Sequence, residues 1–224
     1  EDLATFTNAE IASIGNRAIS GLTTEAIAAL SATQIASIST NGMTGLTGAQ
    51  IAALTTAQAD ALSAAQIRAM SAGQIAHLSS EQIATLSPDD IAAINTRALS
   101  GLATAGIAAL SSAQISALTS AQAGALTTAQ IATLSTGQVE ALTSTHFRAM
   151  NSLQISALGA DDIATLTDDE IASIASRSLA GLGTDVIAAL TTAQIASLTT
   201  GQIASLTPAH ITALTVDQAE ALTP

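Results

Sequence analysis

The chain has 224 residues and a formal net charge of −12, and it contains no Cys, Trp, Tyr or Lys. The lack of cysteine excludes disulfides, thiolate metal sites and cysteine catalysis. Because the only strong cations are five Arg and aromatic residues make up 1%, we expect no nucleic-acid binding, which needs basic surfaces and stacking side chains. No apolar run approaches the ~18 residues of a membrane helix, so we expect no membrane insertion.

An eight-residue repeat runs through the chain. From Thr7 to Leu222 the sequence divides into 27 octads without insertion or deletion, with the consensus Ser/Thr-x-x-Gln-Ile-Ala-x-Leu, as in residues 191–198. Position 8 is Leu, Ile or Met in every octad. Eight residues are too few to bury their own apolar face, so the array predicts a solenoid in which neighbouring units share one core.

Each octad carries the start signal of a helix. Position 1 is Ser or Thr in 20 of the 27 octads, and position 4 is Gln, Glu or Asp in 18. Ser or Thr followed three residues later by Gln or Glu is the capping box, and apolar residues at position 5 and at the preceding position 8 form a hydrophobic staple. Pro88 and Pro208 both stand at position 2, the first helical residue, where Pro is tolerated. The pattern predicts one short capped helix per octad.

Two other architectures account less well for the repeat. In one long helix, eight residues at ~100° each would rotate the apolar stripe by about 80° per octad, so the stripe would never face one partner. In a β-solenoid, the Ile-Ala-x-Leu segment would lack alternation with period two, and Ala and Gln are poor strand formers. We therefore predict an all-α solenoid of very short helices, with the β-solenoid as the alternative. Positions 5 and 8 are expected to line its core, and the variable positions 2 and 3 to face solvent.

The sequence also repeats over a longer period of 80 residues, which is ten octads. In chain order it divides the array into residues 7–86, residues 87–166 and a partial third copy, residues 167–224. All five arginines mark this period by recurring at fixed octad positions: Arg17, Arg97 and Arg177 at one, and Arg68 and Arg148 at another. Gly21, Gly101 and Gly181 keep the same period, as sites of close backbone approach or as helix ends.

The domain organisation follows from the unbroken register. We predict that residues 1–224 form a single continuous solenoid. Residues 1–6 fit positions 3 to 8 of an octad, and residues 223–224 fit positions 1 and 2. Because a free solenoid normally ends in polar capping units, we expect this one to be a segment of a longer array or a protomer that joins end to end.

The sequence offers little chemistry. The three histidines, His77, His146 and His210, lie in well-separated octads, and the last two stand at position 4 in place of Gln. A capping role accounts for both better than catalysis or metal binding. The chain contains no HExxH, GxSxG or glycine-rich phosphate-loop motif, and its many hydroxyl residues have a capping explanation. We therefore expect no enzymatic activity.

Acidic runs are the candidates for a binding site. They lie at residues 89–90, 161–162 and 168–170, in the first turn of predicted helices, where carboxylates favour the positive end of the helix dipole. Besides this structural interpretation there are two others: pairing with Arg across coils, and Ca²⁺ bound between adjacent coils, although the spacing is not that of an EF-hand. The candidate Ca²⁺ ligands are Asp161, Asp162, Asp168, Asp169 and Glu170. We expect no other metal and no cofactor.

The phrase Leu-Thr-Thr-Ala-Gln-Ile-Ala-Ser-Leu at residues 190–198 resembles the octapeptide arrays of large secreted or surface-attached bacterial proteins. The resemblance covers the whole chain but is one of repeat type, and it carries no catalytic residue. It implies an extracellular or cell-surface location and a structural or adhesin-like role.

Architecture and resemblance together suggest a structural function. We predict a protein that forms a rigid filament, a stalk or a surface-layer segment outside the cell, with self-association end to end or laterally. The alternative is an adhesin-like or ice-binding module that presents regular rows of Thr and Ser. Capping already explains the hydroxyls at position 1, so we favour the structural role.

Overall fold

The protein, described here by a computed structural model over residues 3–222, is helical throughout that range. One 3₁₀ turn precedes 27 α-helices of four to six residues, one for each octad. The prediction of an all-α solenoid of short helices is confirmed, and the β-solenoid alternative is wrong, since residues 3–222 form no strand. Of the predicted partial octads at the ends, Leu3–Thr5 is the 3₁₀ turn. Glu1, Asp2, Thr223 and Pro224 lie outside the described residues.

The helices fall into two compact units, Glu1–Ala117 (unit 1) and Leu118–Pro224 (unit 2). The sequence-based prediction of one continuous solenoid stays a prediction. Unit 1 contains α1 (Asn8–Ser13), α2 (Asn16–Ile19), α3 (Thr24–Ala28), α4 (Ala32–Ser37), α5 (Thr40–Gly45), α6 (Gly48–Ala52), α7 (Thr56–Asp60), α8 (Ala64–Ala69), α9 (Ala72–Ile75), α10 (Ser80–Thr85), α11 (Pro88–Ala93), α12 (Thr96–Leu99), α13 (Thr104–Ala108) and α14 (Ser112–Ser116). Unit 2 contains α15 (Ser120–Ala123), α16 (Thr128–Ile131), α17 (Thr136–Val139), α18 (Ser144–Ala149), α19 (Ser152–Ser156), α20 (Ala160–Ala164), α21 (Asp168–Ser173), α22 (Ser176–Leu179), α23 (Thr184–Ala189), α24 (Thr192–Ala196), α25 (Thr200–Ser205), α26 (Pro208–Ala213) and α27 (Val216–Ala221).

Each octad builds its helix from its own residues, as α6 illustrates. Thr47 Oγ1 accepts a hydrogen bond from Gln50 N–H at 3.2 Å, and Gln50 Oε1 accepts one from Thr47 N–H at 2.7 Å, which completes the capping box. Ile51 N–H donates to Thr47 O at 3.0 Å, and Leu54 N–H closes the last turn on Ile51 O at 3.2 Å. Most helices begin with such a box, as predicted. Helices whose N-cap residue is Gly or Ala lack the side-chain cap bond: α2, α13, α20, α22 and α23.

Both units wind in the same way. Within each unit, every helix packs against the third helix further along the chain. Positions 5 and 8 form the core, as Ile51 at 0% and Leu54 at 5% exposure show. Ile11 in the first coil is 0% exposed, whereas Ile211 in the last coil is 50% exposed, so the following coil covers position 5. Isolated helices of this length are unstable in water, and contacts between coils therefore hold them.

Glycine marks the points where coils approach most closely. A Cβ atom on Gly101 would lie 2.6 Å from Ala72 O, and one on Gly181 would lie 2.7 Å from Ser152 Cβ. The same holds for Gly45, where a Cβ would lie 2.1 Å from Asn16 O. None of the described glycines has a positive φ, so the requirement at these positions is for space. Gly21 approaches only its own helix, with its Cβ position 3.4 Å from Ala18 O.

Candidate functional site: a buried amide ladder between coils

Every Gln of the chain stands at position 4 of an octad. There are 14 of them, and each is between 1% and 6% exposed. Gln is ordinarily a surface residue, and a buried amide must find hydrogen-bond partners inside the protein. The uniform burial of these side chains indicates a role in the interior of each unit.

The amide of a position 4 Gln joins two coils, as Gln66 shows. On its own coil, Gln66 Oε1 accepts from Ser63 N–H at 2.8 Å. Toward the preceding coil, Gln66 Nε2 donates to Ile35 O at 2.8 Å and to Ile38 O at 2.9 Å. Those carbonyls belong to positions 5 and 8 of the octad four units earlier, 31 and 28 residues back. Because packing reaches the third helix and these bonds reach the fourth octad, one turn of the coil holds between three and four octads.

We call the set of these bonds the amide ladder. Its amides in unit 1 are Gln34, Gln50, Gln58, Gln66, Gln74, Gln82 and Gln114. In unit 2 they include Gln154, Gln194, Gln202 and Gln218. Each donates through Nε2 to a backbone carbonyl 28 residues earlier, at 2.6 to 2.9 Å.

The primary amide suits this place because it carries an acceptor oxygen and a nitrogen with two hydrogens. Helix ends leave N–H groups free at the start and carbonyls free at the end. One Gln satisfies an N–H at the start of its own helix and carbonyls at the end of another. Among residues 3–222 no buried side-chain nitrogen or oxygen is left without a partner.

The sequence predicted the capping box but missed the ladder. Its signal was present, because Gln accounts for 14 of the 18 acidic or amide residues at position 4. The box alone needs an acceptor, and a carboxylate would suit the helix dipole better. The excess of Gln over Glu therefore points to a second task that requires a donor.

Histidine and serine replace Gln in three octads of unit 2. His146 Nδ1 accepts from Thr143 N–H at 3.1 Å and its Nε2 contacts Leu118 O. His210 Nδ1 lies 3.3 Å from Thr207 N and its Nε2 lies 3.1 Å from Leu182 O. Ser178 Oγ donates to Met150 O at 3.0 Å. The predicted capping role of the two histidines is thus accompanied by a ladder bond that the sequence did not reveal.

The candidate Ca²⁺ ligands occupy the first turns of α20 and α21, where the sequence placed them. Asp162 Oδ2 accepts from Gly159 N–H at 3.3 Å, and Glu170 Oε2 accepts from Thr167 N–H at 2.8 Å. Asp161, Asp168 and Asp169 are exposed to solvent. Nowhere in residues 3–222 do three or more His, Asp or Glu side chains converge as they would around a metal ion. The structure therefore gives Asp162 and Glu170 capping roles and does not gather the five carboxylates.

The arginines make no ion pair within the part of the chain that the structure describes. All five guanidinium groups are exposed, so the pairing of acidic runs with Arg across coils is not seen. Arg148 borders a shallow cleft of about 220 Å³ in unit 2, together with Ser120, Thr145 and Ala149. Arg148 is the one titratable residue of these four, so they contain no pair of a nucleophile and a base.

In each 80-residue repeat, three successive octads at the same place lack Gln at position 4. Residues 7–30, 87–110 and 167–190 carry an acid and then two small or apolar residues at position 4 in three successive octads. These residues are Glu10, Ala18 and Ala26 in the first segment, Asp90, Ala98 and Gly106 in the second, and Glu170, Ser178 and Val186 in the third. The segments also hold Arg17, Arg97 and Arg177. The 80-residue period is therefore also the period at which Gln is absent from three successive octads.

Fold and ladder together define a helical repeat protein, in which short units share a core and directed hydrogen bonds. No helix within residues 3–222 has the length and hydropathy needed to span a bilayer.

Comparison with known proteins identifies the repeat. The sequence pattern of the ALTTAQ repeat matches four times in tandem, at residues 56–88, 91–128, 131–168 and 171–208, about two thirds of the chain. The chain therefore belongs to the ALTTAQ repeat family, and the predicted octapeptide array is confirmed. The last three matches begin 40 residues apart, so two of them fill one 80-residue repeat. No curated protein matches the chain.

Proposed function

We propose that the chain is an extracellular structural element, a stalk, spacer or filament segment built by stacking octads. The observation that carries this proposal is the amide ladder. Carbonyls at the helix ends of one coil accept hydrogen bonds from the Gln amides of the next coil. The same eight residues can therefore extend the array without a new kind of contact. An array of this kind gains length with each added octad and needs no separate binding surface.

The ladder also supports a stiffening role. The capping box holds the Oε1 atom of Gln66 on Ser63 N–H, and this aims Nε2 at the carbonyls of the preceding coil. A donor that is already oriented loses little freedom when it bonds. Separating two coils breaks these bonds and exposes the apolar residues at positions 5 and 8 together. Resistance to extension is the property that a stalk or spacer requires.

Single-molecule pulling on the whole chain tests the structural role. We expect the chain to resist extension and then to unfold in discrete force steps. Substitution Gln66→Glu should lower the first unfolding force, whereas Glu81→Gln, at an exposed site in α10, should leave it unchanged. Extension at the low force of an unstructured polypeptide would overturn the proposal.

We further propose that copies of the chain associate, end to end or laterally. The five exposed arginines in a chain with 17 acidic residues support lateral contacts, since charges unpaired within one copy can meet those of another. Cryo-electron microscopy and sedimentation at rising protein and salt concentration test this. Fibres or assemblies that dissolve in salt are expected for lateral pairing. Isolated particles under all conditions would reject self-association and leave the spacer role.

An extracellular location is proposed from the resemblance of the repeat, and the absence of cysteine is compatible with it. Protease treatment of intact source cells, followed by antibody detection, tests it directly. The chain should be cleaved before the cells are lysed. Protection until lysis would reject an outside location.

The adhesin-like or ice-binding alternative has weaker support. Hydroxyls at position 1, such as Thr47 Oγ1 and Ser63 Oγ, accept backbone N–H bonds in capping boxes and are committed within the protein. A measurable thermal hysteresis would revive the ice-binding role. We also propose that the chain is not an enzyme, because its sequence contains no HExxH, GxSxG or glycine-rich phosphate-loop motif.

A further inference from the structure

Two ladder positions of unit 2 hold buried imidazole rings. His146 is 2% exposed and His210 is 4% exposed. In each ring Nδ1 faces a backbone N–H, of Thr143 and Thr207 respectively, and a backbone N–H can only donate. Nε2 faces a backbone carbonyl, which can only accept. These partners match a ring that accepts at Nδ1 and carries its hydrogen on Nε2.

A second proton has no place in this arrangement. It would have to bind Nδ1, where it would point at the N–H group that the ring now accepts. The amide of Gln does the same work without titrating. Imidazole groups change charge between pH 5 and 8, so a ladder position filled by His responds to acid and one filled by Gln does not.

We propose that His146 and His210 make the winding of unit 2 sensitive to acid. Protonation of each ring breaks its bond to the N-cap N–H and loosens the joint between its coil and the preceding one. Unit 1 has no such joint, because the donating side chains of its ladder are all Gln and its one histidine, His77, is exposed at position 7. The proposal does not depend on the structural function proposed above.

The charged groups near the two rings lie on their own helices and on the helices that pack against them. Helix α18, which holds His146, itself carries Arg148 and packs against α15 and α21. Helix α15 has no titratable side chain, and α21 carries Asp168, Asp169 and Glu170. Helix α26, which holds His210, packs against α23, which carries Asp185. Carboxyl groups ordinarily titrate below pH 5, so a comparison of pH 7.5 with pH 5.5 separates imidazole protonation from theirs.

The test uses the full chain and a double variant, His146→Gln with His210→Gln, which restores the residue that 14 octads carry at this position. Thermal unfolding is followed at pH 7.5 and pH 5.5. A folded state that resists the second proton holds its stability at high pH and loses it as the pH falls. From pH 7.5 to 5.5 the midpoint of the native chain should fall about 5 °C further than that of the double variant.

Two further measurements keep the proposal falsifiable. Nitrogen-15 NMR of the imidazoles at pH 7.5 should show the Nε2–H tautomer at His146 and His210. The control variant His77→Gln should retain the full pH response of the native chain. Equal losses of stability in the native chain and the double variant would overturn the proposal, and so would an Nδ1–H tautomer at either ring.

Discussion

Residues 47–86 of unit 1 and residues 167–190 of unit 2 are built from the same octad in two versions. The first stretch holds five successive ladder amides, from Gln50 to Gln82, each in a complete capping box. The second has Glu170, Ser178 and Val186 in their place, and α22 and α23 begin without a side-chain cap. Both stretches nevertheless form helices that pack on the third helix along.

The comparison separates two contributions to the fold. In residues 167–190 the apolar residues at positions 5 and 8 stay buried, with Leu179 at 0% and Leu182 at 4% exposure. This stretch has no Gln at position 4, but its carbonyls still accept ladder bonds from the following coil, such as those from Gln202 and Gln218. Its helices and core therefore form without amide donors of their own. Caps and amides add directed bonds within and between coils. Substitutions that exchange Gln and an acid at position 4 measure how much those bonds contribute to stability.

The largest effect on stability is expected when a ladder amide within residues 47–86 is replaced by an acid. In Gln66→Glu, the carbonyls of Ile35 and Ile38 lose their donor and face a buried carboxylate. The free energy of unfolding should fall by about 3 kcal/mol in urea titrations at pH 7.5. The control Glu81→Gln changes charge at an exposed site of the same stretch and should change stability by less than about 0.5 kcal/mol. Equal effects of the two variants would refute the role of the ladder.

Substitution of Gly181, where two coils approach closely within residues 167–190, should lower stability nearly as much. A Cβ atom in Gly181→Ala would lie 2.7 Å from Ser152 Cβ and 2.8 Å from Ser152 O, so the two coils must move apart. We expect a loss of about 2 kcal/mol in the same urea titration. In Gly137→Ala the new Cβ meets nothing within 4 Å, and we expect a gain of about 0.5 kcal/mol. A loss in both variants would mean that space between coils is not the reason for Gly181.

Replacement of an acid by an amide at position 4 should stabilise residues 167–190. Glu170→Gln keeps the acceptor for Thr167 N–H and adds a donor toward the carbonyls of Val139 and Leu142, which lie 31 and 28 residues back. We expect a gain of about 1 kcal/mol. Asp169→Asn removes a charge in the same turn without reaching the preceding coil, and it should be neutral. The idea fails if both variants change stability alike.

The smallest effect concerns an acidic box residue in residues 7–30. Thr7 N–H and Thr7 Oγ1 both donate to Glu10 Oε2 at 2.8 Å, and these bonds hold the pKa of the Glu10 carboxyl below its ordinary value. A carboxyl with a lowered pKa stabilises the fold above its unfolded pKa, and this is lost as the pH falls through the folded value. NMR titration should find the Glu10 midpoint below the ordinary value of a Glu carboxyl. In Thr7→Val one of the two bonds is removed, and the Glu10 midpoint should rise.

Local features of this molecule could be predicted because their partners lie within one octad. The capping boxes, the first helical turns at Pro88 and Pro208 and the core positions all depend on residues three or four apart. The ladder could not be predicted in the same way. Gln66 meets Ile35 and Ile38 only because a turn holds between three and four octads.

The acidic runs are a second case in which contacts between coils could not be predicted from the sequence. A run of carboxylates in sequence suggested a Ca²⁺ site between coils. Whether carboxylates converge depends on the direction of each helix and on the coil beneath it. In the folded chain Asp162 and Glu170 turn back to their own N-cap N–H groups.

The helical unit, its register and its family could be read from the residues alone, because an apolar pair and a capping box repeated every eight residues leave one consistent local structure. The number of octads per turn, the glycines that face a backbone and the carbonyls that the buried amides meet became visible only in the folded chain. Those outcomes depend on how close one coil can approach the next. That distance is decided by the packing of side chains that lie about 28 residues apart along the chain.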